Sequence, residues 1–333
     1  MRVGKAELPL HSGKAPRWLF TRMKRLARVI VGKVVEEHGR KGFLERISDP
    51  VWFQSLGSLL GYDWHSSGVT TVLTAVLREV SDEVGIHVVG GKGRASRRVP
   101  QQLAELNLPR TEELVKASRL AAKVDNSALQ DGYQLYHHAM FITEDGDWAI
   151  VQQGMNVEAK SARRYHWLSF AFESFVVEPH SGIISDLIGG RVLNLVARES
   201  EGVRKASLDL VKEGVPRLQR IYRELKLPWR IDWEAVKRAY ELSPDRYEEL
   251  LLVRGIGGKA LRALALIAEV VYGERASVRD PAKYSFAFGG KDGVPYPVDL
   301  RLMDEVASYL EGEDLEKFLI PTGRRSGKSR GEL

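Results

Sequence analysis

A chain of 333 residues exceeds a typical single domain, and 44% hydrophobic content is enough for more than one packed core. Lys+Arg 50 against Asp+Glu 44 gives a formal charge of +6, which permits nucleic acid as a partner without demanding it. Cys 0 excludes disulfides, thiolate nucleophiles and cysteine-held zinc or iron–sulfur centres, so any divalent metal would be held by histidines and carboxylates.

The first residues carry charges where a secretory signal would have its apolar core. No apolar run approaches the roughly 20 residues of a bilayer span. A cytoplasmic protein with no membrane partner is expected, and a high charge content without cysteine suits a thermophile. His11, Lys14, Arg17 and Trp18 form a polar cluster that either ties down the N-terminus or stacks a base. From Pro16 to Glu37, Leu19, Met23, Leu26 and Ile30 recur at helical spacing, with Arg22, Arg25 and Arg28 off that stripe. This predicts a basic amphipathic helix. A second helical pattern runs from Val69 to Val84. Gly90-Gly91-Lys92-Gly93 then interrupts the chain and, with Arg94, Arg97 and Arg98, reads as a basic loop able to cradle phosphate, although it has neither a Walker nor a dinucleotide pattern.

From Tyr133 to Met155 the period changes to that of strands, and Glu144-Asp145-Gly146-Asp147 marks the turn of a hairpin. Both faces of its strands are apolar, which places it in a sheet covered on both sides. Glu173 to Glu178 reads as a further strand. After Ile183 the pattern is helical, broken at Pro228, Pro244, Gly255 and a loop from Asp280 to Pro297. Trp229 and Trp233 read as packing anchors. The expected fold is α+β: a basic, mainly helical region over 1–115, a central mixed β-sheet over 116–190, a helical domain over 191–322 and a disordered basic tail over 323–333.

The middle holds His137, His138, His166 and His180, with Asp125, Asp131, Gln153, Arg163 and Arg164 nearby in sequence. Adjacent His137 and His138 must point to opposite faces of one strand. His137 with His166 or His180 can bind a divalent metal or act as acid and base on a phosphodiester, while Arg163 and Arg164 neutralise the phosphate. Asp131 and Asp147 with Gln153 give a fainter nuclease-like set.

Near the C-terminus, Leu250-Leu251-Leu252-Val253-Arg254-Gly255-Ile256-Gly257-Gly258-Lys259 reads as a helix end, a Gly-x-Gly hairpin and the start of a second helix running through Arg262 to Val270. A helix N-terminus opened by glycines attracts phosphate. The stretch Leu252 to Lys259 resembles the helix-hairpin-helix of endonuclease III-type DNA glycosylases, and Pro295-Tyr296-Pro297-Val298-Asp299-Leu300 is similar to that family's Val-Asp signature. The resemblance implies that Lys259 is the amine nucleophile and Asp299 the assisting carboxylate, with Asp280 a rival nearer in sequence. It also implies that Arg254, Gly255, Ile256, Gly257, Gly258 and Arg262 grip DNA. The whole chain resembles an archaeal and bacterial family described only as a domain of unknown function. The residues that carry this are Leu8-Pro9-Leu10-His11-Ser12-Gly13-Lys14-Ala15-Pro16-Arg17-Trp18-Leu19, Asp131-Gly132-Tyr133 through His138, Ala162-Arg163-Arg164-Tyr165-His166-Trp167 and Gly289-Gly290-Lys291-Asp292-Gly293. The expected partner is nucleic acid, DNA foremost. Three functions remain open: a repair-type glycosylase or lyase using Lys259 and Asp299, a nuclease using the central His and Asp residues with the hairpin as clamp, and a non-catalytic nucleic-acid-binding protein.

Overall fold

The computed structural model describes residues 15–61, 68–185 and 192–283. The chain enters through three helices, α1 (Arg17–Ile47), α2 (Pro50–Leu59) and α3 (Gly68–Val80). Strand β1 (Ile86–Lys92) follows, then α4 (Arg94–Arg97), α5 (Val99–Leu106) and α6 (Thr111–Lys123). A single π-helical turn, Val124–Ala128, leads into the short β2 (Leu129–Gln130). The sheet strands β3 (Gln134–Thr143), β4 (Trp148–Asn156), β5 (Ser161–Leu168) and β6 (Gly182–Ser185) come next, and β7 (Leu193–Asn194) pairs with β2. Five helices complete the described chain: α7 (Glu201–Lys212), α8 (Val215–Glu224), α9 (Trp233–Leu242), α10 (Tyr247–Leu252) and α11 (Gly258–Tyr272).

The α+β class holds. The main sheet has the order β1-β3-β4-β5-β6, and each of its pairings is antiparallel where the sequence pattern led to a mixed sheet. Strand β1, from the N-terminal third, completes it beside β3. The β3–β4 hairpin turns as expected, with Gly146 N–H donating to Thr143 O at 3.0 Å. The stretch Glu173–Glu178 is not a strand. It is an irregular connection whose Phe175 and Val176, with Phe172, pack on the Trp148 and Trp167 rings, so its apolar content serves a side-chain cluster rather than a ladder. The expected glycine loop at 90–93 is strand through Lys92, because Gly90 and Gly91 pair with Ala139 and His138. Gly90 has φ +89, and a Cβ there would collide with the His138 carbonyl oxygen.

Both faces of the sheet are covered, as the apolar strands require. Ala139, Phe141, Ala149 and Val151 face the first three helices, whose stripe Met23, Leu26 and Ile30 is fully buried. Met140, Ile142, Trp148, Ile150 and Trp167 face α6 and the C-terminal helices. Each fully buried Phe or Leu in these layers contributes about 1.5–3 kcal/mol. Local signals fix the helix ends: Asp49 accepts from Val51 and Trp52 N–H at 2.7 and 2.9 Å ahead of Pro50, and Asp232 caps α9 through Ala235 N–H at 3.1 Å. The basic face of α1 is partly used within the fold, since Arg28 bonds Glu83 and Lys24 reaches Glu79.

Arg163 joins the sheet to the last described residues. Its Nη1 donates to Asp131 at 2.9 Å and to Asp280 at 3.0 Å, and its Nη2 donates to Asp280 at 2.8 Å, with all three side chains almost wholly buried. Burial works against the charged guanidinium, but the two carboxylates outweigh it and raise its pKa. Arg163→Met, which strands two buried carboxylates, should lower stability by about 3–5 kcal/mol. Urea unfolding measures this, and a loss below about 1 kcal/mol would show that the triad is not the tie described.

Candidate functional site

Asp125 lies in the π-helical turn and is 0% exposed. Such turns insert one residue into a helix and re-aim side chains. Here the turn drives a carboxylate under the sheet, where Oδ2 accepts from Trp167 Nε1 at 2.9 Å and from Gln152 Nε2 at 2.5 Å, while Oδ1 meets His180 Nε2 at 2.5 Å. Since Gln152 gives its amide nitrogen to Asp125, its Oε1 must accept from His138 Nδ1, 2.9 Å away. His138 Nε2 is then the acceptor of the Ser118 hydroxyl at 2.9 Å. A continuous chain therefore runs from Ser118 through His138, Gln152 and Asp125 to His180.

His180 is the member that reaches open space. It lines a cavity of about 190 Å³ together with Asn194, Glu199, Arg279, Asp280 and Lys283. Its Nε2 is committed to Asp125, which leaves Nδ1 as the nitrogen that can serve the cavity. A carboxylate that fixes the tautomer and plane of an imidazole makes the other nitrogen a directed proton acceptor.

The opposite face carries a second polar set, as the strand parity of His137 and His138 requires. His137 Nε2 lies 3.2 Å from Thr74 Oγ1, and that hydroxyl donates to Thr70 O at 2.7 Å, so Nε2 carries the proton and Nδ1 is the acceptor. Arg164 donates to Thr70 Oγ1 and Gln54 Oε1, each at 2.8 Å, and stacks on Phe53. His166 Nδ1 donates to Ile47 O at 2.9 Å. Thus His137 and His166 do not share a pocket with His180: the sheet separates them. The expected role of Arg163 and Arg164 as open phosphate contacts fails, because both are buried within internal hydrogen-bond networks. The nuclease-like set also fails to assemble: Asp131 accepts from Arg163 and Tyr165, while Asp147 sits at the hairpin turn and pairs with Lys41. Among the described residues no group of three or more His, Asp or Glu is placed to hold a metal ion.

The predicted hairpin is present as α10, residues 253–257 and α11. Gly255 has φ +93, and a Cβ there would meet Ala235, Asp232 and Arg238, so the tight approach needs glycine. The carbonyls of this segment turn inward onto donors: Arg254 O onto Arg238 at 2.9 Å, Ile256 O onto Lys123 Nζ at 2.5 Å, and Gly258 O onto Gln130 Nε2 at 2.7 Å. No side chain caps α11, and its first internal bond is Leu261 N–H to Gly257 O. The amides of Gly258, Lys259 and Ala260 therefore face outward. Arg254, Lys259 and Arg262 are exposed around them. Arg262 also donates to Gln130 at 2.8 Å and lies over Trp229.

Lys259 is exposed on the hairpin. Lys123, half-buried beside the hairpin, has its pKa lowered by burial. Asp280 is held by Arg163, and Asp299 lies outside the described residues, as do His11, Lys14 and the tail. Lys92, Arg94, Arg97 and Arg98 are exposed at the end of β1 and on the short helix after it. Sequence reasoning passed over Lys123, Ser118 and Gln130, and gave Asp125 only as a neighbour. The available signal was the polar run Lys123-Val124-Asp125-Asn126-Ser127 breaking an otherwise regular helix.

A family model described as "Protein of unknown function (DUF763)" matches residues 4–298. The chain belongs to this family. No curated protein and no solved structure matches it. The DUF763 match spans every element named above, so the buried arrays and the hairpin all lie within the family unit. No helix among the described residues is long and apolar enough to cross a membrane.

The buried histidines set a pH dependence. Burial lowers the pKa of His137 from 6.5 to about 3, helped by nearby His138, Arg78, Arg164 and Lys92, and burial also lowers those of His138 and His166. A histidine whose folded pKa is depressed takes up its proton first in the unfolded chain. Stability is then full above about pH 6.5 and falls as pH drops, by up to about 1.4 kcal/mol per unit for each histidine. Urea midpoints at pH 7.5, 6 and 5 should fall in that order, with a smaller slope in His137→Gln; equal midpoints would mean these rings are not buried neutral.

Proposed function

We propose that this protein processes nucleic acid, DNA in the first instance, in the cytoplasm: the α10–α11 hairpin grips the phosphate backbone and the Asp125–His180 pair supplies acid–base chemistry on a phosphodiester. The observation that carries this reading is that residues 123–130 serve both places. Lys123 and Gln130 hold the hairpin from behind, and Asp125 between them orients His180.

The grip uses three outward amides, the positive end of α11 and three exposed cations. In the cavity, His180 Nδ1 takes a proton from the attacking hydroxyl or water as its oxygen bonds to phosphorus, Asp125 stabilises the imidazolium, and as the opposite P–O ester bond breaks the leaving alkoxide takes up a proton from water while the imidazolium returns its own to solvent. Arg279 and Lys283, on the cavity wall, meet the charge on the phosphate. The glycosylase or lyase reading gains less from the geometry, since Lys259 is solvated.

His180→Asn should reduce cleavage of duplex or single-stranded DNA by about 10²–10⁴-fold while leaving affinity within about twofold. Turnover by that variant at the wild-type rate sinks the dyad assignment. Binding without turnover by wild type would leave a non-catalytic binder, and a borohydride-trapped adduct that vanishes in Lys259→Ala would restore the lyase. Separately, Arg254→Ala with Lys259→Ala should flatten the slope of log affinity against log salt by about 2. An unchanged slope removes the clamp.

A further inference from the structure

The face of the sheet that the proposed chemistry does not use carries a continuous polar row. The register sets Lys92, His137, Gln153 and Arg164 side by side across β1, β3, β4 and β5. Helix α3 lies over them and presents Thr70, Thr74 and Arg78, four residues apart and so on one stripe. Thr70 bonds Gln153 and Arg164, Thr74 bonds His137, and Arg78 bonds the β1 carbonyls of Val88, at 3.0 Å, and Gly90.

We infer that the open end of this row, between Arg78, Lys92 and the glycine-rich end of β1, is a binding site for a phosphate-type oxyanion. Three observations meet there. Among the described residues neither Arg78 nor Lys92 makes an ion pair: Arg78 bonds only carbonyl oxygens, and Lys92 lies over the Tyr136 ring at 5.8 Å. Arg78 is half-buried and desolvation lowers its pKa, the condition an incoming anion relieves. The backbone beside them is bare. A Cβ on Gly91 would lie 3.4 Å from Ala95 Cβ and 3.8 Å from Arg78 Nη2, while a Cβ on Gly93 would meet nothing within 4 Å, so it is at Gly93 that a ligand can approach the chain closely.

The third observation is His137, 1% exposed, whose Nδ1 has no hydrogen-bond partner and which sits in the field of both cations. Two cations without an ion pair suit the charged oxygens of a phosphate, and a phosphate that keeps an O–H, as a monoester or pyrophosphate does and a backbone phosphodiester does not, also has a proton to give to Nδ1. Arg94, Arg97 and Arg98, exposed just beyond, extend the positive field outward.

The phosphate belongs either to a small molecule or to a nucleic acid, and calorimetry with inorganic pyrophosphate and with duplex DNA separates the two. Lys92 is exposed, so Lys92→Glu tests the site with little risk to the fold, and Arg78→Gln is a second variant. For a small-molecule site, wild type binds pyrophosphate saturably and Lys92→Glu weakens it at least about tenfold. For a nucleic-acid site, Lys92→Glu weakens DNA and flattens its salt slope by at least about 1, with pyrophosphate not bound. Pyrophosphate binding without DNA binding would keep this site and remove the nucleic-acid reading of the hairpin. Folded Lys92→Glu that leaves both titrations unchanged overturns the site.

Discussion

A carboxylate with no exposure must have its hydrogen bonds met inside the protein, and Asp125 obtains three from residues on β4, β5 and the segment before β6. Only a break in helix α6 can bring it there, and the π-helical turn is that break. The same turn sends Lys123 to one side, onto the hairpin, and starts β2 on the other. Remove Asp125 and Gln152, Trp167 and His180 each lose an acceptor at once. The position of His180 at the cavity and the tautomer of His138 thus follow from one buried carboxyl group, and the residues that flank its turn, Lys123 and Gln130, seat the hairpin.

The sheet then divides the polar chemistry in two. Antiparallel strands covered on both faces would be apolar throughout if packing alone decided their composition. Here the rows through residues 137 and 138 are polar instead, and each bonds to the helix layer on its own side: α3 for one, α6 and its turn for the other. Connected networks of this kind rigidify a core, while an unmet member is costly. The few unmet atoms, such as His137 Nδ1, stand out for that reason.

Much of the secondary structure was legible because it rests on local physics. The stripe Leu19, Met23, Leu26 and Ile30, the Asp145-Gly146 turn and the Gly255 reversal each encode their geometry within a few residues. The opposite orientation of His137 and His138 followed from strand parity alone. What could not be read was pairing over distance. Nothing local says that Asp125 meets His180, that Arg163 spans Asp131 and Asp280, or that Lys123 reaches the hairpin carbonyl of Ile256. The Glu173–Glu178 stretch misled because Phe175 and Val176 are apolar for packing against tryptophans, and a strand would show the same residues. The Gly-x-Gly pattern before Lys259 encodes the reversal, while what the lysine meets in space is set by elements far off in sequence.

The layer order also bears on synthesis. Helices α1–α3 leave the ribosome before the sheet strands, yet the surface that α1 packs Met23, Leu26 and Ile30 against is supplied in part by β3, β4 and β5, which follow only after residue 133. Until then a broad apolar face has no cover of its own. The nascent N-terminal third is therefore the stretch most dependent on a holding chaperone or on a slow, loosely packed intermediate. Docking of β1 beside β3, across the α4–α6 excursion, is the long-range step that ends that exposure.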